Sequence, residues 1–195
     1  MLNPHVIFLA LACNLIGGTG YIIATVQGKT KPNRVTWLLW ALAPLIAFSA
    51  QLSQGVGLSA LMTLMVGVGP LAVFISSFVN KNSYWKISRL DIACGLFSLL
   101  ALILWGVTRT GNIVIVFSIA SDALAAIPTL VKAWHRPETE NYKAFLGGIA
   151  SASITLLTIS DWKFATYGFP FYILLVCIVL VVVIAFPKFR PFSSR

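Results

Sequence analysis

Two polar residues stand in the middle of apolar runs: Asn14 in "LALACNLIGG" and Asp122 in "FSIASDALAAIP". A carboxylate at the centre of a bilayer costs about 3 kcal/mol on insertion scales, and intramembrane acids mark pathways and binding sites far more often than accidents. Asp122 should therefore face the interior of a helix bundle. Asn14 is its natural hydrogen-bond partner. Together they offer chemistry suited to a polar solute, a cation or a proton. The structural alternative is an Asp–Asn clasp that fastens two parts of the bundle together. Asp91 differs, because it follows Ser88 and Arg89 at the start of another apolar run. An acid there favours the helix dipole and reads as structural.

The remaining polar groups extend the candidate site. Ser151 and Thr155 lie one turn apart and share a helix face that could meet Asp122, and Thr63 could play the same part from another helix. Hydroxyls of this kind also bond back to their own backbone. Trp37 and Trp40 share a face near one end of a run. They serve either as interface anchors or as a stacking platform for substrate. Tyr84, Trp85, Trp162 and Tyr167 read as aromatic-belt residues. Glu138 and Glu140 sit beside Arg136 and Lys143, where they would cap the next helix or pair locally. His5 and His135 have no partner at metal spacing. Cys13, Cys94 and Cys177 all fall in apolar runs, fit no metal pattern and read as inert buried thiols. No Ser-His-Asp set, paired carboxylates or phosphate-cradling loop is present. The chain reads as a non-enzyme without cofactor or metal.

The elements that would carry these residues follow from composition. Of 195 residues, 58% are hydrophobic and only 10% charged, and the mean hydropathy is +0.91. Soluble domains carry roughly a quarter charged residues, so this chain reads as an integral membrane protein with lipid as its solvent. The net charge of +9 does not imply nucleic acid, because the basic residues lie between apolar runs. Seven runs approach the ~20 residues that a spanning helix needs: 5–27, 35–54, 57–79, 89–107, 112–134, 143–160 and 166–187. Continuous apolar stretches without alternation argue for helices and against a β-barrel.

Twelve basic residues fall on one side: Lys29, Lys31, Arg34, Lys81, Lys86, Arg89, Lys132, Arg136, Lys143, Lys188, Arg190 and Arg195. Only Arg109 and Lys163 fall on the other. The positive-inside rule puts the C-terminus in the cytoplasm and the N-terminus outside, in the plasma (inner) membrane. "MLNPHVIFLALAC" has no basic residue before its apolar stretch, unlike a cleaved signal peptide.

The halves also resemble each other. With "ACNLIGGTGYIIATVQGKTKPNRVTWLLW" laid over "ASDALAAIPTLVKAWHRPETENYKAFLGG", Asn14 meets Asp122, Asn33 meets Asn141 and Trp37 meets Phe145. The fold expected is an all-α membrane protein of two parallel three-helix repeats, 1–80 and 111–187. A linker helix in 81–110 joins them, and a tail follows at 188–195. This three-one-three plan resembles the PQ-loop and SWEET superfamily of transporters. "AIPTLVKAWHRPETEN" resembles the second Pro-Gln motif, with Pro128-Thr129 in its place, and Gly20-Tyr21 stands there in the first repeat. Helices 3 and 7 lack the asparagine that SWEET-like pockets carry. The resemblance implies a facilitator of a small polar solute (sugar, amino acid or vitamin-like molecule) working by alternating access, with a proton as a further partner and an oligomer compatible with the plan. Gly17, Gly18 and Gly20 would be the hinge in one half and Pro128 in the other. Close helix packing is the alternative use of the same residues. Outside the transporter class, the same helices would suit a membrane receptor or sensor, or an accessory scaffold subunit. The seventh helix contains no lysine to carry a retinal Schiff base.

The orientation is testable by cysteines placed at Ser53 and Lys81. In intact cells an impermeant thiol reagent should label position 53 and spare position 81; the reverse pattern would invert the topology.

Overall fold

The computed structural model describes residues 3–108 and 111–186. Arg109, and the tail 188–195 with Lys188, Arg190 and Arg195, lie outside the described residues. Among the described residues the protein is all-helical, with no strands. Seven α-helices occur: α1 (Ile7–Val26), α2 (Arg34–Ser53), α3 (Ala60–Ser76), α4 (Arg89–Thr108), α5 (Gly111–His135), α6 (Tyr142–Thr158) and α7 (Phe164–Ala185). Each falls on one of the seven apolar runs. Four are long and apolar enough to cross a membrane: α1 with its preceding 3-10 turn, α2, α5 and α7. At 17 residues each, α3 and α6 rise about 25 Å, against ~30 Å of hydrocarbon.

Local chemistry sets the ends. Asn33 caps α2, its Oδ1 accepting from the amides of Val35 (3.0 Å) and Thr36 (3.4 Å). Asn141 caps α6, accepting from the Lys143 amide at 3.2 Å. Of the two uses expected of Glu138 and Glu140, capping falls to neither, because the amide side chain immediately before the helix reaches the free N–H first, while Glu140 forms an ion pair with Lys132. Asp91 is structural, as its position suggests. Its Oδ2 accepts from the Ser88 amide at 2.5 Å and its own amide donates to Ser88 Oγ at 3.3 Å, a reciprocal capping box. Its other oxygen accepts from Asn33 Nδ2 at 2.5 Å, which ties the start of α4 to the cap of α2. The ends of α1 and α2 turn through Gly28 (φ 72°) and Gly55 (φ 74°), left-handed positions that glycine enters without a Cβ clash.

Packing runs in a definite order. α3 lies against both α1 and α2, and α7 lies against both α5 and α6. Across the molecule α1 packs on α6 and α2 on α5, while α4 covers α5 and touches α2. The backbones of α1 and α6 cross closely. A Cβ on Gly17 would stand 2.8 Å from the Ala144 carbonyl oxygen, and one on Gly147 would stand 2.7 Å from that of Cys13. Gly17 is thus a close-packing position. Gly18 and Gly20 have open space where a Cβ would go. Between α4 and α5, Ser98 Oγ donates to the Ser121 carbonyl (2.9 Å) and Ser121 Oγ donates to that of Ser98 (3.0 Å). The outside is apolar: Ile16 is 75% exposed and Phe97 61%, with Ile75, Val79 and Leu157 also bare. Such an exterior belongs in lipid, where no water contact is lost by leaving it uncovered.

The α1–α6 crossing is open to test. Gly17→Ala should lower stability by about 1–3 kcal/mol through overpacking, whereas Gly20→Ala should be neutral or raise it by up to ~1 kcal/mol. Thermal unfolding in detergent measures both, and equal melting temperatures would refute the close-contact role.

Candidate functional site

Asp122 lies in the middle of α5, 2% exposed. Tyr172 on α7 donates its hydroxyl to Asp122 Oδ2 at 2.7 Å. Trp40 on α2 donates Nε1 to the Asp122 backbone carbonyl at 3.1 Å. One turn on, Thr36 Oγ1 donates to the Ala125 carbonyl at 2.8 Å. The second carboxylate oxygen, Oδ1, is buried and accepts no hydrogen bond. The expected clasp with Asn14 is not formed. α1 packs on α3 and α6, while α5 packs on α2, α4 and α7; Tyr172 on the neighbouring α7 reaches the carboxylate instead.

Asn14 and Asp122 nevertheless line one cavity, of about 100 Å³, walled by residues of α1, α2, α3, α5, α6 and α7. Four aromatic rings form much of its wall. Tyr21 meets Trp37 at 4.6 Å between centroids, Trp37 meets Trp40 at 5.3 Å, Trp40 meets Phe145 at 6.3 Å, and Phe145 returns to Tyr21 at 6.4 Å. Three of these four contacts are edge-to-face, so neighbouring rings stand nearly perpendicular. Trp37 and Trp40 are 5% and 6% exposed, which excludes the interface-anchor reading. An anchor needs its polar edge at the headgroups. Gly18, Gly69 and Pro70 line the cavity with Asn14, and α7 contributes Ile173, Val176, Cys177 and Leu180.

Other expected site residues fall elsewhere. Thr63 is fully buried in α3 with its hydroxyl unpartnered, and it does not reach the cavity. Ser151 and Thr155 are buried in α6, outside the cavity lining; Thr155 Oγ1 donates to the Ser151 carbonyl at 2.8 Å. That backbone bond is the ordinary fate of a helical hydroxyl. Pro128 is buried within α5, and three more prolines lie inside helices: Pro44 in α2, Pro70 in α3 and Pro170 in α7.

Tyr21 links the cavity wall to a buried ionic network that the sequence did not announce. Tyr21 donates its hydroxyl to Glu140 Oε2 at 2.5 Å. Glu140 is ion-paired to Lys132 through Oε1, both side chains being almost wholly buried. Lys132 Nζ also donates to the Lys31 carbonyl, and the Lys31 amide donates to the Thr139 carbonyl at 3.0 Å. The α1–α2 and α5–α6 connections are thereby joined beneath Tyr21. The sequence clue was spacing. Lys132 ends a helix on the side facing a loop only a few residues long, so its ammonium can fold back on Glu140. At the opposite end of the bundle a more polar depression of about 360 Å³ is lined by residues that include Gln54, Asn112, Asp161 and Lys163.

Comparison with known proteins finds no match: no family model, no curated protein and no solved structure is similar to this chain.

The network makes its own forecast. Removing one member of a buried pair strands the other charge and costs about 3–5 kcal/mol, while replacing both by apolar residues is often neutral. Glu140→Gln alone should therefore lower the melting temperature in detergent sharply, and Lys132→Met with Glu140→Leu should recover most of the loss. A single variant as stable as the parent would show that the pair contributes nothing.

Proposed function

We propose that the protein is a transporter or facilitator of a small polar solute, working by alternating access between two three-helix halves that span the membrane with α4 as linker. The observation that carries the reading is Asp122, a buried carboxylate with one unpartnered oxygen in a cavity where the halves meet. Such a group in a membrane core is a functional site by default, since its cost must be offset by a ligand, an ion or a proton.

The repeat is supported by the packing order. α3 packs between α1 and α2 as α7 packs between α5 and α6, and the α1–α6 contact has its counterpart in α5–α2. The paired positions of the two halves also have paired environments. Asn33 and Asn141 both cap helices, and Asn14 with Asp122, like Trp37 with Phe145, line the same cavity. This plan resembles the PQ-loop and SWEET transporters. In this reading the halves rock about the open Gly18–Gly20 stretch and Pro128. The tight Gly17–Gly147 crossing holds α1 and α6 together as a pivot, and the Tyr21–Glu140–Lys132 network closes the cytoplasmic end. The second reading, an accessory scaffold, draws on the smallness of the cavity and its largely apolar wall.

Purified protein in liposomes, screened for uptake of sugars, amino acids, nucleosides and amines, tests the proposal. Asp122→Leu should lower uptake per folded molecule by about tenfold or more, the loss expected for one buried charged hydrogen-bonding group. Gly18→Leu, which directs a side chain into the cavity, should slow it at unchanged membrane level. Full specific activity in Asp122→Leu would end the transport role of this site, and uptake of nothing by the parent protein would favour the scaffold.

A further inference from the structure

We infer that the cavity recognises a small organic ammonium cation, with Asp122 as counter-charge and the four-ring wall of Tyr21, Trp37, Trp40 and Phe145 as its seat. The site is the one in the proposed function, but the inference concerns binding and does not require transport. It rests first on what the cavity lacks. Asp122 Oδ1 is buried, lines no hydrogen bond, and has no ion-pair partner among the described residues. The buried ammonium of Lys132, outside the cavity lining, is already engaged by Glu140 and the Lys31 carbonyl. The Tyr172 hydroxyl and the Trp40 indole hold Asp122 by one oxygen and by its backbone. The side chain is thus held by one oxygen and by its backbone, and its other oxygen has no partner within the protein.

The walls choose among ligands. An anion would meet the carboxylate. A sugar carries several hydroxyls, but the polar groups left unpartnered in the wall are few, chiefly Asn14, Asp122 Oδ1 and the Trp37 indole N–H, and each unmatched hydroxyl buried there loses its water. A bare metal ion needs several oxygen ligands, and no cluster of three His, Cys, Asp or Glu occurs among the described residues. An alkylammonium asks for less. Its charge is diffuse, its methyl groups pack against aromatic faces, and the ring quadrupoles attract it when it is desolvated. Edge-to-face contacts between neighbouring rings put their faces at steep angles, as the walls of a box require.

The experiment uses choline and its uncharged carbon isostere, in which a tert-butyl group replaces trimethylammonium. Both are titrated by calorimetry into the purified full-length protein in detergent. Choline should bind saturably and the isostere at least about tenfold more weakly. Asp122→Asn, which preserves shape, should weaken choline by about tenfold or more without lowering the melting temperature enough to unfold the protein. Trp37→Leu should weaken it roughly fivefold, and Trp37→Phe should restore most of that. If choline fails to bind, if the isostere binds equally well, or if Asp122→Asn leaves choline affinity unchanged, the inference is overturned and Asp122 holds a proton or a neutral solute instead. Choline bound but not carried into liposomes would sink the transport reading alone. Uptake of a neutral solute, indifferent to choline, would sink this inference and leave transport standing.

Discussion

Helices in lipid gain little by burying apolar side chains against each other, because the tails outside are as apolar as leucine. What joins them is close backbone contact and hydrogen bonds that lipid cannot supply. This constraint governs the whole molecule. Gly17 and Gly147 let α1 and α6 approach until a methyl group would not fit between them. Ser98 and Ser121 exchange hydroxyl bonds between α4 and α5. Asn33 serves two purposes, capping α2 with its oxygen and donating to Asp91 with its amide nitrogen. Many bulky apolar residues face outward, as the bare Ile16 and Phe97 illustrate.

The same constraint explains why so few charges lie inside and why each is placed as it is. Glu140 and Lys132 are buried as a pair with three further polar contacts, from Tyr21, to the Lys31 carbonyl, and between the loops that hold them. A pair so furnished is tolerable where either ion alone is not. Asp122 is the exception. It receives one hydroxyl and no counter-charge. The other buried acids, Asp91 and Glu140, have a partner for each oxygen, by hydrogen bond or ion pair, which leaves Asp122 the half-satisfied one among the described residues.

The aromatic residues connect these two centres. Tyr21 presents its ring to the cavity and its hydroxyl to Glu140, so the network and the cavity share a side chain. Trp40 presents its ring to the cavity and its indole N–H to the Asp122 backbone. A change in how the two loops meet would therefore move the wall of the cavity directly, without a relay through the lipid-facing helices.

Much of this was legible from the chain alone. Seven apolar runs set the seven helices, because a lipid-embedded backbone must satisfy its own hydrogen bonds and helix is the local way to do so. Ser88 with Asp91 announced a helix start, and Asp122 announced an interior position, since charge and capping act over a turn or less. Partners were a different matter. In helices that are apolar on every side, no face is marked as inward, so Trp37 and Trp40 read more readily as interface anchors than as a stacking platform until the bundle buried them. Asn14 was the plausible mate for Asp122 by register along the membrane, yet register fixes height and says nothing of which helix stands next door. The order of packing put α7 beside α5 and gave the bond to Tyr172. It likewise brought Tyr21 to Glu140 across 119 positions of sequence. Short-range chemistry wrote the helices and their caps; contacts between distant segments, decided only by how seven similar cylinders pack, made the site.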